Sequence, residues 1–232
     1  MLDAAFDALK QLEWGADPAP LAPIHTAIIS THGDAAGRAE LEKRLLAVLQ
    51  SEAGYPAKDF CCRKLMLIGT DTSVAVLASM LADSKLSHLA RYALERIPTP
   101  AAATALRSAV ATLPTEQQIG AIASLGVRKD AGCVADLGQL VSSGDTAVAI
   151  AAAQALGAIR SPQAAQALQA AKPADAVKPT VTDASFACAE TFLAQGQKPA
   201  ALMIYTQLHR NQDLPKHVRL AVQRGILACA GK

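Results

Sequence analysis

Few side chains in this 232-residue sequence have a type and spacing that could do chemistry. His25 and His32 are seven apart and share a face if one helix carries both. A helical metal pair uses i, i+4 and wants a third ligand. Asp34 is near, but Gly33 ends the helix, so cap and surface roles are expected. Cys61, Cys62, Cys133, Cys188 and Cys229 form no CxxC and have no His at zinc spacing. Adjacent Cys61 and Cys62 point to different sides of a helix, and the expectation is buried thiols without a disulfide framework. The tail "GILACAGK" separates Gly225 and Gly231 by five residues instead of four, with no Ser or Thr after Lys232, so it is not a P-loop. GxSxG, HExxH and GxGxxG are absent. The reading therefore assigns no catalytic residue, no metal and no cofactor.

Two polar clusters are candidates for partner contact. In "SHLARYALER", His88, Arg91 and Glu95 lie at i, i+3 and i+7, opposite Leu89, Ala93 and Ile97. Arg91 and Glu95 can pair at i, i+4 for a few tenths of a kcal/mol. The plain reading is a solvated face with inter-repeat ion pairs; the functional one is a polar strip that touches a partner. Tyr92 is expected to bury its ring. The turn "GVRKD" projects Arg128 and Lys129 beside Asp130, an expected N-cap. That basic pair either bridges to a neighbouring loop or forms part of a contact ridge. Arg107 belongs to a third group, the polar residues of second helices, with Ser73, Ser79, Thr104, Ser108, Asp136 and Gln139.

The elements that must position these residues are helices. Ile68, Ile97, Val127 and Ile159 recur at steps of 29 to 32 residues, and Leu77, Leu106, Leu137 and Leu168 at 29 to 31. Val74, Ala103, Val134 and Ala165 precede the second set by three residues each. Three columns in register over four units are an internal repeat of helical hairpins. The turns "IGTDTS", "IPTPAA", "LGVRKDAG" and "IRSPQA" supply the residues that stop one helix and start the next. Pro98, Pro100, Pro114 and Pro162 are placed at helix starts, and Asp71 is read as an N-cap. A lone helix over 3–14, helices near 21–30 and 34–52, a fifth hairpin at 181–195 and 199–210, and a last helix at 215–230 complete the expectation. The loop "KPADAVKPT" interrupts the pattern at 172–180.

The segment "GDTAVAIAAAQALGAIRSPQAAQALQAA" resembles a HEAT repeat of the short bacterial kind, related to the HEAT-like repeats of phycobilin lyases. Asp145, Val148, Ala155, Leu156, Gly157, Ile159 and Pro162 carry the match, while Ile150 stands where the family often has Arg. The resemblance covers roughly residues 34–230. It implies an all-α fold, a right-handed α-α superhelix (HEAT-repeat solenoid). The bottom-up reason is the same: a hairpin of about 30 residues cannot bury its own apolar face, and stacked neighbours bury it jointly.

The expected organisation is capping helices at 1–33, HEAT-like hairpins at 34–212 and a C-terminal helix at 213–232 that is a cap or the start of a further unit. Leu220, Leu227 and Cys229 widen the apolar arc of that helix past what one neighbour covers, so its end is expected to dock on something. The leading function is a non-catalytic scaffold for protein–protein or interdomain contacts, its partner a protein or a fused domain. A nucleic-acid-binding HEAT-like protein is the first alternative. It needs a basic stripe and stacking aromatics. The net charge is only +2, Lys and Arg do not recur at one repeat position, and Trp14, the single Trp, lies outside the repeats, so nucleic acid is disfavoured. A lyase acting on a bound chromophore is the second alternative and rests on fold analogy alone. No apolar run reaches membrane-spanning length, so no membrane insertion is expected. The opening "MLDAAFDALKQLEWG" is amphipathic and acidic, which reads as cytoplasmic, or as periplasmic or exported if a natural leader was removed.

Overall fold

Leucines spaced for helix-on-helix burial set the architecture. A computed structural model describes residues 1–231, and the described residues form α-helices and two short 3₁₀ turns, with no strand. The helices are α1 (Leu2–Lys10), α2 (Ala22–Ser30), α3 (Ala35–Leu49), α4 (Tyr55–Ile68), α5 (Asp71–Ser79), α6 (Ser87–Arg96), α7 (Pro100–Val110), α8 (Thr115–Arg128), α9 (Val134–Leu140), α10 (Thr146–Ile159), α11 (Pro162–Ala170), α12 (Lys178–Ala194), α13 (Lys198–His209) and α14 (Lys216–Ala230). The fold is all-α, an α solenoid of stacked hairpins. Its two compact units are Met1–Ser124 and Leu125–Lys232.

The second-helix column is as the spacing requires: Leu77, Leu106, Leu137 and Leu168 are all buried. The first-helix column needs a correction. Ile68, Ile97 and Ile159 are buried, but Val127 is 61% exposed. The column that keeps register is Leu65, Leu94, Leu125 and Leu156, each twelve residues before its second-helix partner and each buried. Val127 follows Leu125 by two residues, about 200° around a helix of 3.6 residues per turn, and so faces away. Half-buried Arg128 occupies the position that Ile159 holds one repeat later. Burying each leucine contributes roughly 1.5–3 kcal/mol.

Helix ends follow the turn chemistry. Thr99 and Ser161 cap α7 and α11 with Pro at the first turn, and Asp145 accepts from the amides of Ala147 and Val148. The cap of α5 is Thr70, one position earlier than the Asp71 the sequence suggested, and Asp71 is the first helical residue. Pro98 precedes α7 in the turn instead of starting a helix. Helix α1 stops at Lys10, so Trp14 sits in a loop. Helix α12 begins at Lys178, inside the stretch expected to be loop.

The first unit uses polar groups to join helices. Glu42 of α3 is buried, and its carboxylate accepts from the Thr70 amide (2.7 Å), the Thr70 hydroxyl (2.9 Å) and the Ser73 hydroxyl (2.5 Å). A carboxylate at the N-terminus of α5 meets free amides and the positive end of the helix dipole. Ser73, expected on the exposed polar strip, is thereby fully buried.

The second unit joins helices through small residues. A Cβ added to Gly126 would lie 2.9 Å from Ala155 Cα, and one added to Gly157 would lie 2.8 Å from Ala184 Cα. Ala149, Ala151, Ala152, Ala153 and Ala155 make the rest of α10 a buried alanine surface. Beyond it, Tyr205 of α13 is fully buried, packs edge-on to Phe186 and donates its hydroxyl to Glu190. Burial and that bond raise the phenol pKa. Helix α14 lays Gly225 on the Tyr205 ring and buries Val222 and Cys229. Leu220 (49%) and Leu227 (71%) are exposed, whereas Cys229 lies on the inner face and not on the outer arc.

All five cysteines are buried free thiols. Desolvation pushes Cys62 up to about 12 and Cys188 up to about 11, so both stay protonated at neutral pH.

Candidate functional site

The face of α6 that carries His88, Arg91 and Glu95 divides in the structure. Arg91 turns inward: its Nη1 donates to the Gly120 carbonyl (3.1 Å) and, at a long 3.5 Å, to Ser124 Oγ. Ser124 donates to Glu95 at 2.7 Å, so Arg91 and Glu95 meet on one serine that joins α6 to α8. Gly120 admits the guanidinium, because a Cβ there would lie 2.6 Å from Arg91 Cζ. Desolvation lowers the Arg91 pKa, partly offset by Glu95. Arg91 Nε and Ser87 Oγ are buried without a hydrogen-bond partner. Arg91 and Glu95 therefore read as inter-helix joints.

His88 remains outward, and Tyr92 stands beside it. The ring expected to be buried is 42% exposed, 5.7 Å from the His88 ring. The Arg63 guanidinium of α4 also lies over the Tyr92 ring, at 5.8 Å. Asp59 holds Arg63 one turn back, with Nε 2.9 and 3.1 Å from the two carboxylate oxygens, and this pairing raises the Arg63 pKa. Tyr55 opens α4 at 37% exposed, with Trp14, 72% exposed, tilted against it at 5.9 Å. Trp14, Tyr55 and Tyr92 are thus three exposed rings on the first unit, in a chain that is only 3% aromatic.

A groove of about 360 Å3 opens beside Trp14, between its loop and α4. Phe60, Pro18 and Leu21 give it apolar wall, and Lys64 and His25 stand at its polar side. Lys64 Nζ lies 4.9 Å from the centre of the Phe60 ring and donates to His25 Nδ1 at 2.9 Å. The acceptor role fixes the neutral imidazole with its proton on Nε2. Desolvation, then the Lys64 charge, lowers the His25 pKa, and desolvation, then Arg63, lowers that of Lys64.

The histidine pair considered from spacing separates. His25 belongs to this groove, and His32 lies past the end of α2, where it accepts from Arg38 at 3.3 Å. Arg107 is half-buried on α7 and donates to Thr104 at 2.8 Å. Lys129 is exposed in the left-handed conformation (φ 53°) that closes α8, with the Asp130 amide returning to the Leu125 carbonyl at 3.1 Å. Of the predicted contact residues, His88 stands beside an exposed ring, that of Tyr92. The sequence reading missed Tyr55, Arg63 and the groove, because Trp14, Tyr55 and Tyr92 are some forty residues apart in pairs and only packing brings them to one surface.

Residues 114–184 match the protein family described as HEAT repeats. HEAT repeats are generally scaffold or interaction motifs and commonly mediate protein contacts. The matched stretch includes the alanine and glycine packing of α10. No curated protein matches the chain. Among the described residues no helix is long and apolar enough to cross a membrane, and no group of three His, Cys, Asp or Glu side chains could hold a metal ion.

Proposed function

We propose that this protein is a non-catalytic HEAT-repeat scaffold that binds a protein partner through the exposed ring face of its first unit. The observation that carries the reading is the set of Trp14, Tyr55 and Tyr92, left in solvent with Arg63 between the tyrosines. The exposed part of each ring is apolar area that a partner can still remove from water, and Tyr, Trp and Arg are the residues that most often dominate protein interfaces. Basic character is slight: Arg63 is neutralised by Asp59, which favours a protein surface over a phosphate backbone.

The test uses the full chain as bait in an extract of its source. Wild type should retain a defined set of proteins at high salt. The double variant Trp14→Ala/Tyr92→Ala should lose them while unfolding at the same temperature, since neither side chain is buried. Arg107→Ala should retain them. Capture that is indifferent to the double variant, or that consists of salt-sensitive nucleic acid, overturns the reading.

A further inference from the structure

We infer that the groove between the Trp14 loop and α4 receives an acidic side chain of an extended peptide, its carboxylate on Lys64 and the adjacent proline or aromatic residue against Trp14. The inference rests on the protein-binding reading above and names the chemistry of what is bound.

Size comes first. At about 360 Å3 the groove is near the lower end of the ~300–1,000 Å3 typical of ligand sites, room for one or two side chains and not for a folded element. Trp14, 72% exposed, is among its lining residues and offers a surface that proline and aromatic rings cover well. The deciding feature is the cation. Lys64 is half-buried, and it meets a neutral imidazole and the Phe60 ring, while among the described residues no carboxylate forms an ion pair with it. A cation partly withdrawn from water and lacking a counter-ion gains most from a single carboxylate delivered into the same low-dielectric space. The Nε2–H of His25 adds a neutral donor beside it.

The charge balance sets the class of ligand. Arg63 is cancelled by Asp59, and Glu13 and Lys64 both line the groove. The four charges sum to zero, so the groove has no positive field to hold a polyanion, and a single carboxylate gains only locally, at Lys64. That favours a glutamate or aspartate side chain over a nucleotide.

Trp14 is the only tryptophan, so its emission reports the groove directly. The probes are two pools of end-blocked tetrapeptides. One has a fixed glutamate flanked by proline or phenylalanine, and the other has glutamine in its place. The glutamate pool should shift Trp14 emission to shorter wavelength and saturate, and the glutamine pool should need about tenfold more peptide. Lys64→Met should erase that difference with helicity unchanged, and Lys64→Arg should restore it. Equal response to the two pools overturns the assignment, as does a Lys64→Met protein that keeps the preference, or adenosine monophosphate moving the emission where the glutamate pool does not. If both pools leave Trp14 unmoved while partner capture still depends on Trp14 and Tyr92, the groove assignment falls and the scaffold reading stands. If the glutamate pool binds but capture ignores both rings, the scaffold reading falls instead.

Discussion

The two units share a leucine column and differ in almost everything around it. In Met1–Ser124 the helices are joined by side chains reaching across: Glu42 to Thr70 and Ser73, Arg91 to the Gly120 carbonyl, Ser124 to Glu95. From Leu125 onward small residues bring backbones together, Gly126 on Ala155 and Gly157 on Ala184, alongside a side-chain bond from Tyr205 to Glu190. The larger polar-tipped rings divide in the same way, although Phe6 is buried in the first unit. Trp14, Tyr55 and Tyr92 stand in solvent in the first unit, whereas Tyr205 is buried in the second. One repeat plan therefore supports two uses. Small residues give a stack with little surface chemistry, and long polar side chains can hold a stack while the neighbouring positions carry exposed rings.

The shared part of the comparison is broken most sharply by truncation. Leu65→Ala and Leu156→Ala should each cost about 2–5 kcal/mol in denaturant unfolding, since both are fully buried. Val127→Ala, two residues from the column residue Leu125, should stay within about 0.5 kcal/mol. A large loss at Val127 would break the corrected register.

Next in size is the polar joint. Glu42→Gln places an amide donor against the Thr70 and Ser73 donors, and should cost about 1.5–3 kcal/mol. Glu42→Gln at wild-type stability would remove the claim that side chains hold the first unit.

The two kinds of joint are separated by one methyl group. Gly157→Ala gains up to about 1 kcal/mol of helix propensity but drives its Cβ into the Ala184 backbone, so a net loss of about 1–3 kcal/mol is expected. Gly120→Ala displaces only the movable end of Arg91, so the lost bond to the Gly120 carbonyl is offset by helix propensity and the net change should stay within about 1 kcal/mol. Equal effects at the two sites would erase the distinction.

The smallest expected effect is a pH slope. The folded state holds His25 below its usual pKa through burial and the Lys64 charge. A base with a depressed folded pKa contributes full stability above pH 6.5 and loses it as pH falls through the folded value. Wild type should therefore lose slightly more stability than His25→Asn between pH 7 and the folded pKa, by a small margin because the ring is largely solvated. A steeper slope in His25→Asn contradicts the assigned tautomer.

Much of this was legible in the residue order. Leu77, Leu106, Leu137 and Leu168 recur because each hairpin must bury the same point on its neighbour, and that need is written locally at fixed spacing. Helix stops at Pro, Gly, Ser and Asp are local too. The first column slipped at Val127 because an apolar residue two places off looks equivalent on paper, while helix rotation puts it on the opposite face. Ser73 and Arg91 read as exposed polar residues because neither Glu42 nor the Gly120 carbonyl is near them in the chain. The exposed rings belong wholly to the tertiary structure: Trp14 lies in an irregular loop, Tyr55 at the start of α4 and Tyr92 on α6. Spacing along one helix predicts what that helix buries. What several elements leave facing water together depends on how they pack, and so the solenoid could be read from the residues alone while the surface that singles out this protein could not.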